Sequence, residues 1–550
     1  MLRIVPTNGK TRCAAGGYHI FCNVEHDFRA IPIFYFAPCA SSTLRSQPRH
    51  AVAVALELMF WLPYFERLTS KSAFNVVNSN SLPFHIQPSR LQPRYILMKN
   101  KLNVFSRALL LLIFTYASGA MQTVVAKTIS TPAEALATET FTLQEEMEVG
   151  VEIEARSPGA SWAREGAEAA ALSVSVDGVY NQDLLLWAGE ELFQYRLMLG
   201  RLAKGKHTVS VSLNVPRSAA EARRAEVKAL HEILLTASRA TGITEEDRLA
   251  LMRSPVLFAR ANTIDHFTDI PLLMYYEILP QADGDKIIRY TVIFTNEDGG
   301  TQTAALLARW GRGTDIEWVY EFRVRDKKVV EETYQGVRHE TKFFTGSRSG
   351  GSHPLLAVAS DNNNFSDMAC SNVRFAPLPI RARLETATRE SVMDLYPQTY
   401  RVMTEELMRE HRISPTPGDI NTIADPREYF YIEASSDQQG AALGFDVKVA
   451  GQAKPFATDM GDARLRIDRS GNFRTAVRLP AGVSPTMVES VTARCHASSQ
   501  LAAERGCKRL KLLRVLMLDQ SYVPRVLPSR AQSEASLAPG ETIVFKVNQQ

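Results

Sequence analysis

Three clusters of side chains in the middle of this 550-residue chain have the types and spacings that chemistry uses. The first is RWGRGTDIEW at 309–318. Asp315 and Glu317 stand two residues apart on an alternating segment, so in a strand their carboxylates share a face about 7 Å apart. Such a pair can divide acid–base work or hold a cation, and Arg309 and Arg312 are near enough in sequence to clamp an anion. The plainer reading is the solvent-facing half of an amphipathic strand. The second cluster is HETKFFTGSRSGGSHP, beginning at His339. His339, Glu340 and His353 converge if the glycine-containing connection folds back between two strands, and imidazole with carboxylate suits zinc or general-base chemistry. Surface or loop histidines are the commoner outcome. The third is ASDNNNFSD at 359–367, where Asp361, Asn363 and Asp367 give the oxygen-rich loop that calcium needs. EF-hand spacing fails there because Phe365 takes the third ligand position, and a polar turn with self-bonding Asn side chains is the simpler account. No cofactor is expected beyond that possible calcium ion.

The motifs that would name a reaction are missing. The chain has no H-E-x-x-H, C-x-x-C, P-loop or dinucleotide glycine fingerprint. GSRSG at 346–350 has Arg348 where a nucleophile elbow needs serine.

The elements that must position these clusters read as strands. Val149, Val151, Ile153 and Ala155 alternate with Glu152 and Glu154; Leu172, Val174 and Val176 repeat the pattern and end at Asp177-Gly178, a hairpin-turn signal. LFQYRLML and KHTVSVSLNV follow at strand length, and LAKGKHTVSVSL looks like the closing strand of jelly-roll modules that bind sugars. Trp162, Tyr180 and Trp187 fall in or beside loops of this region, where flat rings could stack on a sugar; core packing is the commoner fate of such rings. Ser218 and Glu221 form a capping box ahead of ARRAEVKALHEILLTASRA, which predicts a helix ending at Gly242, and Thr244 with Asp247 starts a second short one. KIIRYTVIFTN runs into Glu297-Asp298-Gly299-Gly300, read as a hairpin turn, and TDIEWVYEFRV follows with Ile316, Trp318, Tyr320 and Phe322 on one face. Residues 381–412 read as helix interrupted at Pro397. The fold class is therefore mainly β: a multidomain β-sandwich, jelly-roll or Ig-like, with helical inserts near 218–252 and 381–412.

Taken in order, a D-x-E strand, a Gly/Ser-rich connection, a His-Pro, an apolar strand and a polar loop resemble the vacuolar-sorting-protein-62-like family over about residues 310–365. The family's G-D-W-E-H-V type strand is matched by Thr314-Asp315-Ile316-Glu317-Trp318-Val319. Its H-P-x-V-Y-V-A-x-G-S-H type segment is matched by His353-Pro354-Leu355-Leu356-Ala357-Val358-Ala359, with Ser360-Asp361-Asn362-Asn363 in place of the Gly-Ser-His. The resemblance implies a β-sandwich central region and a site near Asp315, Glu317 and His353, and brings no settled activity.

Charge and composition narrow the setting. Hydrophobic content of 45% with 22% charged residues is ordinary for a globular chain, and the length allows two to four domains. MKNKLNVFSRALLLLIFTYASGAMQTVVA, from Met98, has the three parts of an export signal: Lys99, Lys101 and Arg107, a short apolar core at 108–116, and small residues at 118–120 or 124–126. Its core is about half the ~20 residues a spanning helix needs, so no stable span is expected after cleavage. A buried helix and a signal-anchor are the alternatives. Residues 1–97 hold 10 Lys+Arg against 4 Asp+Glu and show no sustained period; they read as a poorly structured extension upstream of the true start. From residue 127 onward the chain holds 50 basic and 55 acidic residues, a mildly acidic body without the basic blocks that nucleic acid requires. In an oxidising compartment Cys495 and Cys507 can bridge; two unpaired buried thiols are the alternative.

The expected order is a signal peptide at 98–126, an N-terminal sandwich at 127–216, a helical linker at 217–255 and a central β domain at 256–380. A helical connector at 381–427 and a β-rich domain at 428–550 complete it. The functional expectation is a secreted or periplasmic protein that binds a glycan, a cell-surface component or another protein. The alternative is a secreted hydrolase using the carboxylates and histidines of the central domain.

Overall fold

The computed structural model describes residues 3–7, 10–15, 18–21, 134–236, 242–260, 263–297, 301–498, 505–529 and 534–547. The export signal expected at 98–126 lies outside them, as do most of residues 1–97. Within the latter, Arg3–Thr7, Lys10–Ala15 and Tyr18–Phe21 form a three-stranded antiparallel meander, a compact unit of its own. Among the described residues no helix is long and apolar enough to cross a membrane.

The body is mostly strand. An N-terminal sandwich stacks a four-stranded sheet (Ala135–Leu143, Gly205–Leu213, Ala171–Val176, Val179–Leu185) on a three-stranded one (Glu226–Leu234, Met147–Arg156, Phe193–Leu202). Asp177 and Gly178 both take positive φ, 51° and 76°, as the tight hairpin between the third and fourth of those strands requires.

One expected helix is a strand. Glu226–Leu234 pairs antiparallel with Met147–Arg156 along its length, where the capping box at Ser218 pointed to a helix. Ser218 instead donates to the Asn214 carbonyl and accepts from the Ala171 amide. The reason is tertiary. Met147–Arg156 lies between two neighbours, its second row of backbone groups needs a partner, and a ladder of that length outweighs local helix propensity. The second expected helix forms as Glu245–Met252, with the Thr244 hydroxyl accepting from the Asp247 amide and the Asp247 carboxylate accepting from the Thr244 amide.

The central region is one large mixed sheet of eleven strands. Pro271–Pro280, Lys286–Phe294, Ile316–Arg325 and Lys328–Gly336 run through its middle, and His353–Val358 and Val256–Phe258 lie toward one edge. Lys286–Phe294 does pair antiparallel with Ile316–Arg325, yet helix Thr303–Trp310 stands between them in sequence where a simple hairpin turn was expected. The pairing also shifts register at Val319: Tyr320 faces Tyr290, but Trp318 faces Thr291. This bulge breaks the expected face. Trp318 lies with Arg289 and Glu321 on one side, and Tyr320 and Phe322 pack on Tyr290 on the other.

Of the helical stretch expected at 381–412, only Ser391–Asp394 and Gln398–Arg409 are helical, with the interruption at Pro397. A C-terminal sandwich then stacks the sheet around Tyr429–Gln439 and Gly506–Leu518 on the sheet around Ala441–Val449 and Val488–Ala497. Cys495 and Cys507, both buried, are disulfide-bonded with Cα atoms 6.0 Å apart, joining one sheet to the other. A single apolar core continues from the N-terminal sandwich into the central sheet, while the C-terminal sandwich has its own.

Candidate functional site

Asp315 and Glu317 do not face solvent. Asp315 is 1% exposed, and its Oδ2 accepts from Asn363 Nδ2 at 2.9 Å. Glu317 Oε2 accepts from Gln335 Nε2 at 2.5 Å, and the same amide nitrogen lies 2.9 Å from His339 Nδ1. Asn362 Nδ2 stands 2.8 Å from His339 Nε2. Members of all three sequence clusters thus meet in two neighbouring hydrogen-bonded groups, buried Asp315 with Asn363, and Glu317 with Gln335, Asn362 and the surface ring of His339, 52% exposed. Burial, reinforced by the charge of Glu317, pushes the Asp315 carboxyl up to about 7. Burial and then Asp315 do the same to Glu297, also to about 7. Burial raises Glu317 as well. Arg312, expected as an anion clamp, is buried and committed to Glu390 at 3.2 Å and to the Thr314 carbonyl. Half-buried Arg389 donates to the Ile316 carbonyl at 3.1 Å.

His353 is elsewhere. Its Nδ1 donates to the Ser254 carbonyl at 2.8 Å and its Nε2 lies 2.9 Å from Glu148 of the N-terminal sandwich, all of it buried. It fastens two layers and does not join Asp315. Arg309 points away too, bonding Asp468 at 2.5 Å and stacking on Trp310.

The side chains of the oxygen-rich loop are engaged with other protein groups, although the buried Oδ1 of Asn363 has no hydrogen-bond partner. Asp361 pairs with Arg260, Asn363 bonds Asp269 and Asp315, and Asp367 accepts from Tyr334 and from the Thr345 amide. Among the described residues no group of three or more His, Cys, Asp or Glu is placed to hold a metal ion.

The aromatic residues divide. Trp162 and Trp187 are buried and present no open ring at the surface for a sugar to stack on; both pack in the core. Tyr180 is partly exposed, with its hydroxyl donating to Asp183 at 2.5 Å and Arg217 over its ring. Trp162 has an indirect use: its ring carries the Arg409 guanidinium, 5.8 Å from the ring centre, and its indole N–H donates to the Trp187 carbonyl. Arg409 closes the end of helix Gln398–Arg409, and beside it opens a polar cleft of about 650 Å³.

Loops at one end of the N-terminal sandwich line this cleft, with Glu165, Glu168 and Arg223 facing His266, Phe267 and Glu410. Glu168 is 3% exposed. Its Oε1 accepts from the Gly166 amide and lies 3.0 Å from Arg409, but its Oε2 has no hydrogen-bond partner. Buried carboxylate oxygens are rarely left so. Phe267 adopts φ 47° on the opposite wall, a costly conformation for an aromatic residue. Sequence reasoning missed this site because its parts come from four separate loops and helix ends; only Trp162, its underpinning, carried a local signal. Neither this cleft nor two further cavities, of about 290 and 670 Å³, is lined by Asp315, Glu317 or His339.

No protein-family model matches the chain, and no curated protein matches it. Among solved structures it is similar to a cycloisomaltooligosaccharide glucanotransferase of Paenibacillus sp. complexed with cycloisomaltoheptaose, at 9% identity and a TM-score of 0.14, over 74% of this chain and 38% of that one. It is also similar to the M60 catalytic domain with the CBM51-1 and CBM51-2 domains from Clostridium perfringens ZmpB, at 10% identity and a TM-score of 0.13, over 64% and 30%. Likenesses this shallow carry no functional argument, and the chain spans well under half the length of either protein.

Proposed function

We propose that the chain is an exported β-protein that binds a hydroxyl-rich ligand, the end of a glycan, in the polar cleft beside Arg409. The observation that carries this reading is Glu168, which lines that cleft with its carboxylate buried and one oxygen without a hydrogen-bond partner. The balance of charge selects the ligand class. Glu165, Glu168 and Glu410 oppose an anion, Arg223 and Arg409 oppose a cation, and a neutral polyol can donate to the first set and accept from the second. The volume lies within the range of small-ligand sites, and loops on a rigid sandwich are where such sites are commonly built. Screening the full chain on an oligosaccharide array tests the reading: binding is expected to a defined subset of glycans and to be lost in Arg223→Glu, an exposed change that leaves the fold intact. Absence of binding to any neutral glycan, or equal binding by the variant, sinks it.

A second reading is a hydrolase at Asp315, Glu317 and His339, near the position implied by the vacuolar-sorting-protein-62-like resemblance. Carboxyls raised toward neutrality beside a histidine favour it. It requires turnover on a glycoside or ester panel that Asp315→Asn and Glu317→Gln abolish; the first reading requires glycan binding that these variants leave unchanged.

A further inference from the structure

A second cavity, of about 290 Å³, opens along the seam between the N-terminal sandwich and the central sheet, and its chemistry is the opposite of the polar cleft. Trp187, Phe193 and Tyr396 form one wall, with ring centres 4.6 Å apart for Trp187 and Phe193 and 6.4 Å for Phe193 and Tyr396. Leu272 and Met274 from the central sheet and Leu378 from the segment beyond it complete the lining. Leu192, 42% exposed, stands at the rim.

The charged groups at this cavity are already engaged. Arg196 is paired with Glu152 at 2.7 Å, and Asp183 is held by Arg217 and by the Tyr180 hydroxyl. The Tyr195 hydroxyl accepts from the Ala188 amide. A carboxylate or an ammonium would therefore surrender its hydration without finding a free counter-charge. The frame is also fixed: Met198 donates to the Ala376 carbonyl at 2.8 Å and Leu378 to the Arg196 carbonyl at 2.9 Å, so backbone bonds hold the two layers on either side of the void. An apolar cavity of roughly 150 Å³ is known to stay dry and accept benzene, and this one is about twice that size.

We propose that the seam cavity binds a neutral, apolar molecule with about two fused rings, independently of the polar cleft. Naphthalene is the probe and 2-naphthoate its charged counterpart. Titrated into the full chain, naphthalene is expected to raise the melting temperature and quench tryptophan fluorescence as Trp187 is contacted, with 2-naphthoate at least tenfold weaker. Leu378→Trp, which fills the void from a half-buried position, is expected to weaken naphthalene at least tenfold while keeping the wild-type melting temperature. Leu192→Asp at the exposed rim provides a second variant with little demand on folding and is expected to weaken it as well. Glu168→Gln is expected to leave naphthalene binding unchanged, which separates this site from the glycan reading. No shift with naphthalene, equal affinity for 2-naphthoate, or full affinity in both cavity variants overturns the proposal.

Discussion

Two effects act together to raise the Asp315 carboxyl: it is buried, and Glu317 stands two residues on, in the strand that begins at Ile316. Its folded-state pKa of about 7 lies above the ordinary 3.8, so between about pH 4 and pH 7 the folded chain keeps a proton that the unfolded chain has released. Stability therefore falls as pH rises through that window and levels off above it. Asp315→Asn keeps an oxygen for the Asn363 amide to donate to and removes the charge. Thermal melts at pH 5 and pH 8 are expected to show a smaller drop for the variant than for the wild type, with a difference on the order of 2–4 kcal/mol. A variant that loses stability equally at both values would mean that Asp315 is ionised and needed as such. At this scale the sequence was informative where chemistry is local. The Asp-x-Glu spacing and the Asn run marked residues that do meet. His339 and His353 looked alike in sequence, both flanking the Gly/Ser connection, and only the sheet decides that one ends at the surface and the other against Glu148. Glu297, Gln335 and Arg389 stand beside the same carboxylates but come from separate strands and loops, so nothing in the sequence near Asp315 announced them.

Elements are fastened by ion pairs more than their apolar patterns suggest. Glu433, on strand Tyr429–Gln439, meets Arg474 of strand Gly471–Arg478 at 2.5 Å and Arg514 of strand Gly506–Leu518 at 2.5 Å. The same two arginines reach Asp394 at the end of helix Ser391–Asp394. Burial pushes the Glu433 carboxyl up, but the Arg474 and Arg514 guanidiniums outweigh it and bring it to about 2. That stabilisation is present above about pH 4.5 and is lost as pH falls toward 2, the reverse of Asp315. Glu433→Gln leaves Arg474 buried with too few counter-charges and is expected to cost about 3–5 kcal/mol, read as a lowered denaturant midpoint at pH 7. An unchanged midpoint would show that Asp394 alone suffices. Element type was legible wherever strands alternate over their length, as in Met147–Arg156 and Ala171–Val176. It failed at Glu226–Leu234, whose stripe of Val227, Leu230 and Leu234 fits a helical period while its backbone is claimed by a neighbouring strand. It failed again at Val319, where one extra residue reversed which side chains face inward.

From residue 134 onward the described chain is a set of sheets in which the N-terminal sandwich and the central sheet share one core and the C-terminal sandwich has its own. The seam cavity and the polar cleft both occur where the N-terminal sandwich meets the central sheet and the helices at 391–409. Such junctions are invisible to a reading along the chain, because they depend on which faces close against each other; the multidomain β-sandwich class itself was plain from strand spacing and turn residues. The proposed export belongs to this scale. Intact-mass measurement of the natural product is expected to give a chain beginning at Met121 or Lys127, after one of the two small-residue sites in the signal, and a product retaining residues before Met98 would contradict it. The central claim rests on Glu168 and its unpartnered oxygen. Calorimetric titration of the full chain and of Glu168→Gln with the best oligosaccharide from the array tests it most directly. Glycan binding at this carboxylate predicts affinity about tenfold weaker in the variant, about 1.4 kcal/mol. Identical affinity in the two proteins would contradict it.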